Sequence, residues 1–588
     1  MATNTPLPTT LTAAPASRVL LDWRTFALAA LVILLVYQVI VPFVMIIWTS
    51  FKTTRPGDPG FLEFSFTITN YLRAYATQRF WDVTWNTLYF SAASTIVAFV
   101  LGTFLSWVVE RTNTPFARII GTLTLARIII PGVLITISWI FVASPTIGFA
   151  NYIIEAVTGI SKALNIYTFW GMVWVHALEM VPLAYLLISA AFQAMDPRLE
   201  EASVMTGAGT LRTLRRISLP LIMPAVLAAM LLLFITTVDT FEVPLLLGGR
   251  AGVDVYATEV YFKTSRTPTD WGLSSTYSMA LLVISIGLLL VYFRLLRHGE
   301  RYQTITGKDF RPRRIDLGRW KYATCAASVL LVFLITGLPF IIMAYASFLP
   351  PYEAISPQPL EVLTLSNYVE LLGAEDSAEY VLEPIINSTL LGIGTATVVM
   401  LVVSVIAYFV HKTRTPGRKA LDFLAFSSIA LPSVVLGAAF LWLYLLVPAP
   451  ILGTLWIIGL AYLTKYMPFA LRFVSTSMLQ IHAELEEAAQ IAGVPWWKNF
   501  YRIYLPLLKP GLLAGWFWVM VHAFRELTIA LILARSENRT ASVIIYDLWE
   551  DGSFQQVSAF GVLMFSVLII LVTVARIIST RYGIKEQV

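Results

Sequence analysis

The chain has 588 residues, of which 57% are hydrophobic and 13% charged, with a formal net charge of +6 and one cysteine. A soluble domain carries roughly 45–50% apolar and about 25% charged residues, so this balance excludes an ordinary soluble enzyme, and the apolar share excludes disorder. The lone Cys325 excludes a disulfide framework or thiolate metal site, and the basic residues do not gather on one soluble face as nucleic-acid binding requires.

What remains is a polytopic membrane protein. A spanning helix needs roughly 20 mostly apolar residues. The sequence predicts about twelve, over 26–48, 85–109, 119–143, 168–193, 221–247, 276–297, 322–347, 385–410, 421–447, 451–474, 507–534 and 558–579. These are long continuous runs, unlike the short alternations of a barrel. The first run is too long for a cleaved signal peptide, and Trp48-Thr49-Ser50-Phe51 offers no small-residue cleavage site. Residues 1–25 form a tail whose Thr/Pro/Ala-rich first part, 1–17, is expected to be disordered.

Orientation follows from Lys and Arg in short loops. From Arg294 to Lys321 the chain holds nine basic and three acidic residues, whereas 349–384 holds seven acidic and no basic ones. The first stretch is expected in the cytoplasm and the second outside. His411-Lys412-Thr413-Arg414 with Arg418 and Lys419 falls inside again, and an even number of spans puts both termini in the cytoplasm.

The chain also repeats. Val41-Pro42-Phe43 with Ser50-Phe51 recurs as Leu338-Pro339-Phe340 with Ser347-Phe348, and Asn70-Tyr71-Leu72 as Asn367-Tyr368-Val369. Asn86-Thr87-Leu88 matches the region of Asn387, Arg111-Thr112-Asn113-Thr114-Pro115 matches Lys412-Thr413-Arg414-Thr415-Pro416, and Ile130-Pro131 matches Leu431-Pro432. The expected domains are a first repeat over 26–297, a basic cytoplasmic linker over 298–321 and a second repeat over 322–588. Six spans in each make the halves parallel, related by an axis along the membrane normal.

The sharpest motif follows the fourth span of each half, over about 196–220 and 482–506. Leu199-Glu200-Glu201-Ala202-Ser203, Gly207 and Ile217-Ser218-Leu219-Pro220 recur as Leu485-Glu486-Glu487-Ala488-Ala489, Gly493 and Ile503-Tyr504-Leu505-Pro506. This spacing predicts a short helix, a glycine-permitted turn and a second short helix. Arg212, Arg215 and Arg216 in one copy, and Lys498 and Arg502 in the other, make the second arm basic.

These motifs resemble the EAA loop of ABC-importer permeases. The resemblance covers nearly the whole chain and implies an all-α polytopic membrane protein of the type I importer permease fold. It implies that each loop docks on an ATP-hydrolysing subunit. Glu201, Ala202, Gly207, Glu487, Ala488, Ala489 and Gly493 match its coupling positions; Ser203 departs from the second alanine. Two copies of an ATP-binding subunit and an extracytoplasmic solute-binding protein are the implied partners, in the lipid bilayer of a bacterial inner membrane.

The sequence itself has no G-x-x-x-x-G-K-[ST]; Gly307-Lys308-Asp309 is its nearest Gly-Lys pair. ATP and Mg are therefore expected on the separate subunit, with no cofactor, metal or catalytic residue on this chain. Fusion of two six-span halves looks like the ferric-iron permease group, and thiamine and aminoethylphosphonate permeases share that layout. The acidic stretch 349–384 does not separate ferric iron from polyamine or another solute. An ion-gradient transporter explains twelve spans but not two elbows in matched register.

Charged residues inside spans mark pathway candidates. Met180-Val181-Pro182 aligns with Tyr466-Met467-Pro468, which sets Glu179 opposite Lys465 and raises the expectation that they pair across the axis. The fifth spans carry Asp239 and Glu242 in the first half and His522, Arg525 and Glu526 in the second. In the resembled family this span lines the central path. Arg127 is expected to snorkel to the membrane surface and His176 to form a helix–helix hydrogen bond.

Overall fold

A computed structural model describes residues 23–193, 210–213, 219–299, 314–373, 377–413, 415–447, 450–482 and 496–581, with isolated positions between 203 and 216 and between 484 and 494. The tail 1–22 and most of the basic linker lie outside the described residues. The described chain is helical, with one isolated bridge, Thr112 to Ile315.

The first half contains α1 (Leu28–Ser50), α2 (Gln78–Arg111), α3 (Ala117–Ile129), α4 (Gly132–Ala143), α5 (Phe169–Gln193), α6 (Leu219–Val238), α7 (Tyr256–Ser265) and α8 (Trp271–Gly299). The second contains α9 (Trp320–Ser347), α10 (Ala378–Lys412), α11 (Arg418–Ala430), α12 (Ser433–Leu446), α13 (Leu455–Leu479), α14 (Phe500–Phe524), α15 (Thr528–Leu533), α16 (Ala541–Glu550) and α17 (Phe554–Arg581).

The repeated motifs make the same bonds in both halves. Asn70 Nδ2 donates to the carbonyls of Ser50 and Lys52 at 3.1 and 2.7 Å; Asn367 Nδ2 donates to those of Ser347 and Leu349 at 2.9 and 2.7 Å. Tyr71 and Tyr368 each donate to the matching serine hydroxyl at 2.8 Å. The asparagine amides satisfy carbonyls freed where α1 and α9 end, so this motif fixes how each first span turns into the next segment.

Two predicted spans are not straight. The stretch 119–143 is α3 and α4, bent by 104°, and 421–447 is α11 and α12, bent by 108°. The cause lies at Pro131 and Pro432. Proline has no amide hydrogen and holds its predecessor extended, and Ile130 and Leu431 have ψ of 128° and 109°. At twelve residues, α4 is about 18 Å long by helical rise, too short for a hydrocarbon core of about 30 Å. Every residue of α4 is buried, as are Ser433–Tyr444 of α12. Their apolar character reflects a protein core and not a lipid face. The predicted span 507–534 also breaks, between Phe524 and Thr528.

The halves wrap around each other through these bent pairs. The first span α1 packs on α11 and α12 of the second half, and α9 packs on α3 and α4 of the first. Likewise α7 packs on α12 and α16 on α4. Each bent pair is thus enclosed partly by its partner half. The end of the linker is tied down beside α2: the Ile315 amide donates to Arg111 O at 2.7 Å, and Asn113 Nδ2 donates to Asp316 Oδ1 at 2.6 Å.

Candidate functional site

Two places combine chemistry with the repeat: the elbows, and a charged cluster buried between the halves. At the elbows Gly207 and Gly493 have φ of +79° and +69°, the left-handed region that glycine enters without a side-chain penalty. Among the described residues, a Cβ built on either meets no heavy atom within 4 Å. Ser203, the departure from the loop pattern, lies 2.8 Å by its hydroxyl from the hydroxyl of Thr213 and pins the two arms together. Glu201, Ala202, Glu487, Ala488 and Ala489 lie outside the described residues.

The cluster forms where α5, α6, α13 and α14 meet the two bends. Glu179 stands ten residues into α5 and Lys465 ten residues into α13, each about 15 Å along its helix. They do not pair with each other. Glu179 Oε1 lies 3.4 Å from an Arg127 guanidinium nitrogen and its Oε2 lies 3.4 Å from His176 Nδ1. Lys465 Nζ lies 2.9 Å from Glu526 Oε1. Parallel halves bring each charge to a partner in its own half before its pseudo-symmetric counterpart.

Arg127 does not reach the membrane surface. It is 2% exposed and donates to Ile130 O at 2.9 Å, besides facing Glu179. The break at Pro131 frees that carbonyl, and the helix end carries partial negative charge, so a guanidinium has both an acceptor and a dipole to meet. His176 is buried, with Nδ1 3.4 Å from the hydroxyl of Thr240, just beyond the end of α6, as expected for a polar contact in the core.

The charges that follow the fifth helices cross between halves. Asp239 accepts the Ser433 amide at 2.7 Å and the Ser433 hydroxyl at 2.9 Å, capping the start of α12. Arg525 donates to Ile130 O at 2.9 Å, at the end of α3. Glu526 accepts the amides of Ile529 and Ala530 at 3.0 and 3.3 Å and so caps the region of α15 while holding Lys465. Glu242 and Glu179 press against Gly132: a Cβ there would fall 2.0 Å from Glu242 Oε2 and 2.5 Å from Glu179 Oε1. His522 stacks on Trp518 with ring centroids 4.0 Å apart. Among the described residues no three His, Cys, Asp or Glu side chains group as a metal site.

A further contact was not read from the sequence. Tyr261 and Tyr546, the sixth residues of the equivalent helices α7 and α16, are neighbours across the halves, close enough for each phenol to influence the other. Burial pushes both phenols above their usual range. The signal lay in the repeat register, which gives both halves a tyrosine at one position. Ser433 and the Ile130 carbonyl were also missed, because a serine and a backbone oxygen carry no mark in a hydropathy profile.

The family model for the binding-protein-dependent transport system inner membrane component matches this chain twice, at residues 25–301 and 400–582. The chain belongs to that family. Each matched region contains one elbow. The "Ferric transport system permease protein FbpB" of Actinobacillus pleuropneumoniae is 27% identical over 72% of this chain and 61% of its own length. The chain thus spans about three fifths of that relative. The "Fe(3+)-transport system permease protein FbpB 2" of Haemophilus influenzae is 22% identical over 92% of this chain and 96% of its own length. The "Spermidine/putrescine transport system permease protein PotB" of Escherichia coli is 28% identical over 45% of this chain, yet 94% of its own length is covered. A nearly whole relative fitting under half of this member is what a two-repeat chain gives.

Proposed function

We propose that the chain is the permease subunit of an ATP-binding-cassette importer, its two halves forming the path for a substrate delivered by a binding protein outside the membrane. The observation that carries this reading is a family match laid twice on one chain, each copy containing an elbow turned on a left-handed glycine. Two copies of an ATP-binding subunit dock on the elbows, hold ATP and Mg, and draw the elbows together. The chain itself binds no cofactor and hydrolyses nothing. Both termini and the elbows lie in the cytoplasm, following the basic stretch Arg294–Lys321. Glu179, Lys465, Asp239, Glu242, Arg525 and Glu526 line or gate the path between the halves.

Ferric iron is the cargo supported best, because two relatives with broad coverage carry that substrate in their names. A polyamine is the second reading, favoured by the relative named for spermidine and putrescine. Uptake of radiolabelled ferric iron under iron limitation, in cells with and without the gene, tests the first. Uptake is expected to vanish on deletion and return with the wild type but not with Gly493→Asp, at equal protein level. Unchanged iron uptake on deletion rejects iron, and labelled spermidine is then the next cargo.

A further inference from the structure

The charged contacts between halves in the buried cluster join side chains to helix ends. Asp239 and Arg525 follow the fifth helices of opposite halves and carry opposite charge, yet no hydrogen bond or ion pair between them is among the contacts found. Each grips the bent helix pair of the other half. The Asp239 carboxylate sits on the amide end of α12, accepting Ser433 N–H and Oγ–H at 2.7 and 2.9 Å. The Arg525 guanidinium sits on the carbonyl end of α3, donating to Ile130 O at 2.9 Å. A carboxylate suits a helix start and a cation suits a helix end, so each charge matches the end it holds. The two prolines create those ends inside the protein, where neither would otherwise meet water.

The surroundings sharpen the point. Ile130 O takes a second guanidinium from Arg127, within its own half, so both of its acceptor positions are used. Glu526, beside Arg525, is already held by Lys465 and by the amides of Ile529 and Ala530. Glu179 is held by Arg127 and His176. Of the charged groups in the cluster, Asp239 and Arg525 are the ones whose hydrogen bonds run between halves. A motion that parts the halves breaks these bonds and leaves the others whole.

We propose that Asp239 and Arg525 are crossed clasps that hold the halves shut at mid-membrane in the resting transporter and release once in each cycle. This rests on the permease reading above. Because each clasp grips a helix end of fixed polarity, exchanging the two charges repairs nothing. A salt bridge between the two would be rescued by exchange.

The test uses the full complex in liposomes, with its ATP-binding subunits and binding protein, and with Cys325→Ser, which removes the only cysteine. Asp239→Cys and Ser433→Cys are introduced together, with a protease site in the linker so that joined halves are seen on a gel. A short bifunctional thiol reagent is expected to join the halves in the resting complex. Joining should fall about tenfold when ATP and binding protein are present; it is read without transport, because Asp239→Cys itself removes one clasp. Equal joining in both states overturns the clasp. A wild-type complex that takes up no iron, while joining in the cysteine pair still responds to ATP, rejects the cargo and supports the clasp.

ATP hydrolysis without binding protein gives a second reading that does not depend on the cysteine pair. Asp239→Leu and Arg525→Met are each expected to raise it about fivefold, since loss of a contact made only in the resting state shifts the population away from it. Wild-type rates in both, in complexes of normal composition, overturn the proposal. So does restored uptake when Asp239→Arg is combined with Arg525→Asp.

Discussion

In the first half the Thr87 hydroxyl accepts the first amide of α7 at 3.0 Å; in the second the Ser388 hydroxyl accepts the first amide of α16 at 2.9 Å. Thr112 and Thr413 each donate back to the residue four earlier at 2.7 Å, and the two Asn–Tyr pairs seat their first spans alike. Against this sameness stands the cluster between the halves. Glu179 stands where the second half has Lys465, Asp239 where it has Arg525, and Gly132 where it has Ser433. The scaffold hydrogen bonds are alike in the two halves while the charges of the cluster differ. Each of these charges is held inside the protein: Lys465 by Glu526, Glu179 by Arg127 and His176, and Asp239 and Arg525 by helix ends of the other half.

The comparison breaks most severely at Lys465. Lys465→Ala leaves Glu526, whose side chain is 4% exposed, with only its backbone amides. Removing one partner of a buried pair costs about 3 kcal/mol, so the expected result is a marked drop in the unfolding temperature in detergent together with loss of uptake. An unchanged unfolding temperature would show that water already screens the pair.

Making the halves alike at the bends is the next test. Gly132→Ser gives the first half the residue of the second, but its Cβ would fall 2.0 Å from Glu242 Oε2. Such overpacking costs about 1–3 kcal/mol, and a roughly tenfold fall in uptake is expected on the same scale. The reverse change, Ser433→Gly, removes one hydroxyl bond to Asp239 and keeps the amide, costing about 1 kcal/mol. Uptake assays at matched expression compare the two; equal effects would remove the distinction between the bends.

Smaller still is the tyrosine pair. Tyr261→Phe and Tyr546→Phe each remove one contact between equivalent positions, costing about 0.5–1 kcal/mol, and the double change should cost no more than either single one. A double-mutant cycle on unfolding temperature reads this. Additive losses would mean that the two hydroxyls work apart.

The smallest effect concerns how the linker seats on the first half. Bonds from the Gly318 amide and the Asn113 side chain hold the Asp316 carboxyl below its usual range. A depressed value stabilises the docked form above the ordinary aspartate range and loses that contribution as pH falls through the depressed value. Hydrogen exchange at Ile315 and Gly318 should therefore accelerate only in acid, and an onset near neutrality would contradict the assignment.

Much of this was legible in the sequence. The elbows show in the spacing of Glu, Gly, Ile and Pro, and the structure gives Gly207 and Gly493 the left-handed turn that the spacing predicts. The repeat shows in short motifs because they cap and seat helices, which fixes residue identity. The bends did not show. Ile130-Pro131 and Leu431-Pro432 were visible as a match, but hydropathy cannot tell a short core helix from half of a span. Arg127 was misjudged for a related reason: snorkelling assumes lipid around the residue, whereas its partner Glu179 arrives from a different helix. The pairing of Glu179 with Lys465 failed because equivalence in a repeat gives depth, not proximity.

The central proposal is that the chain is a permease driven through its two elbows by ATP. Its most direct test is iron uptake into proteoliposomes holding the chain with its ATP-binding subunits, with binding protein outside and ATP supplied to the elbow side. The account predicts uptake that requires both ATP and binding protein, survives a proton ionophore and is abolished by either Gly207→Asp or Gly493→Asp. Uptake that proceeds without ATP and collapses with the ionophore would contradict it.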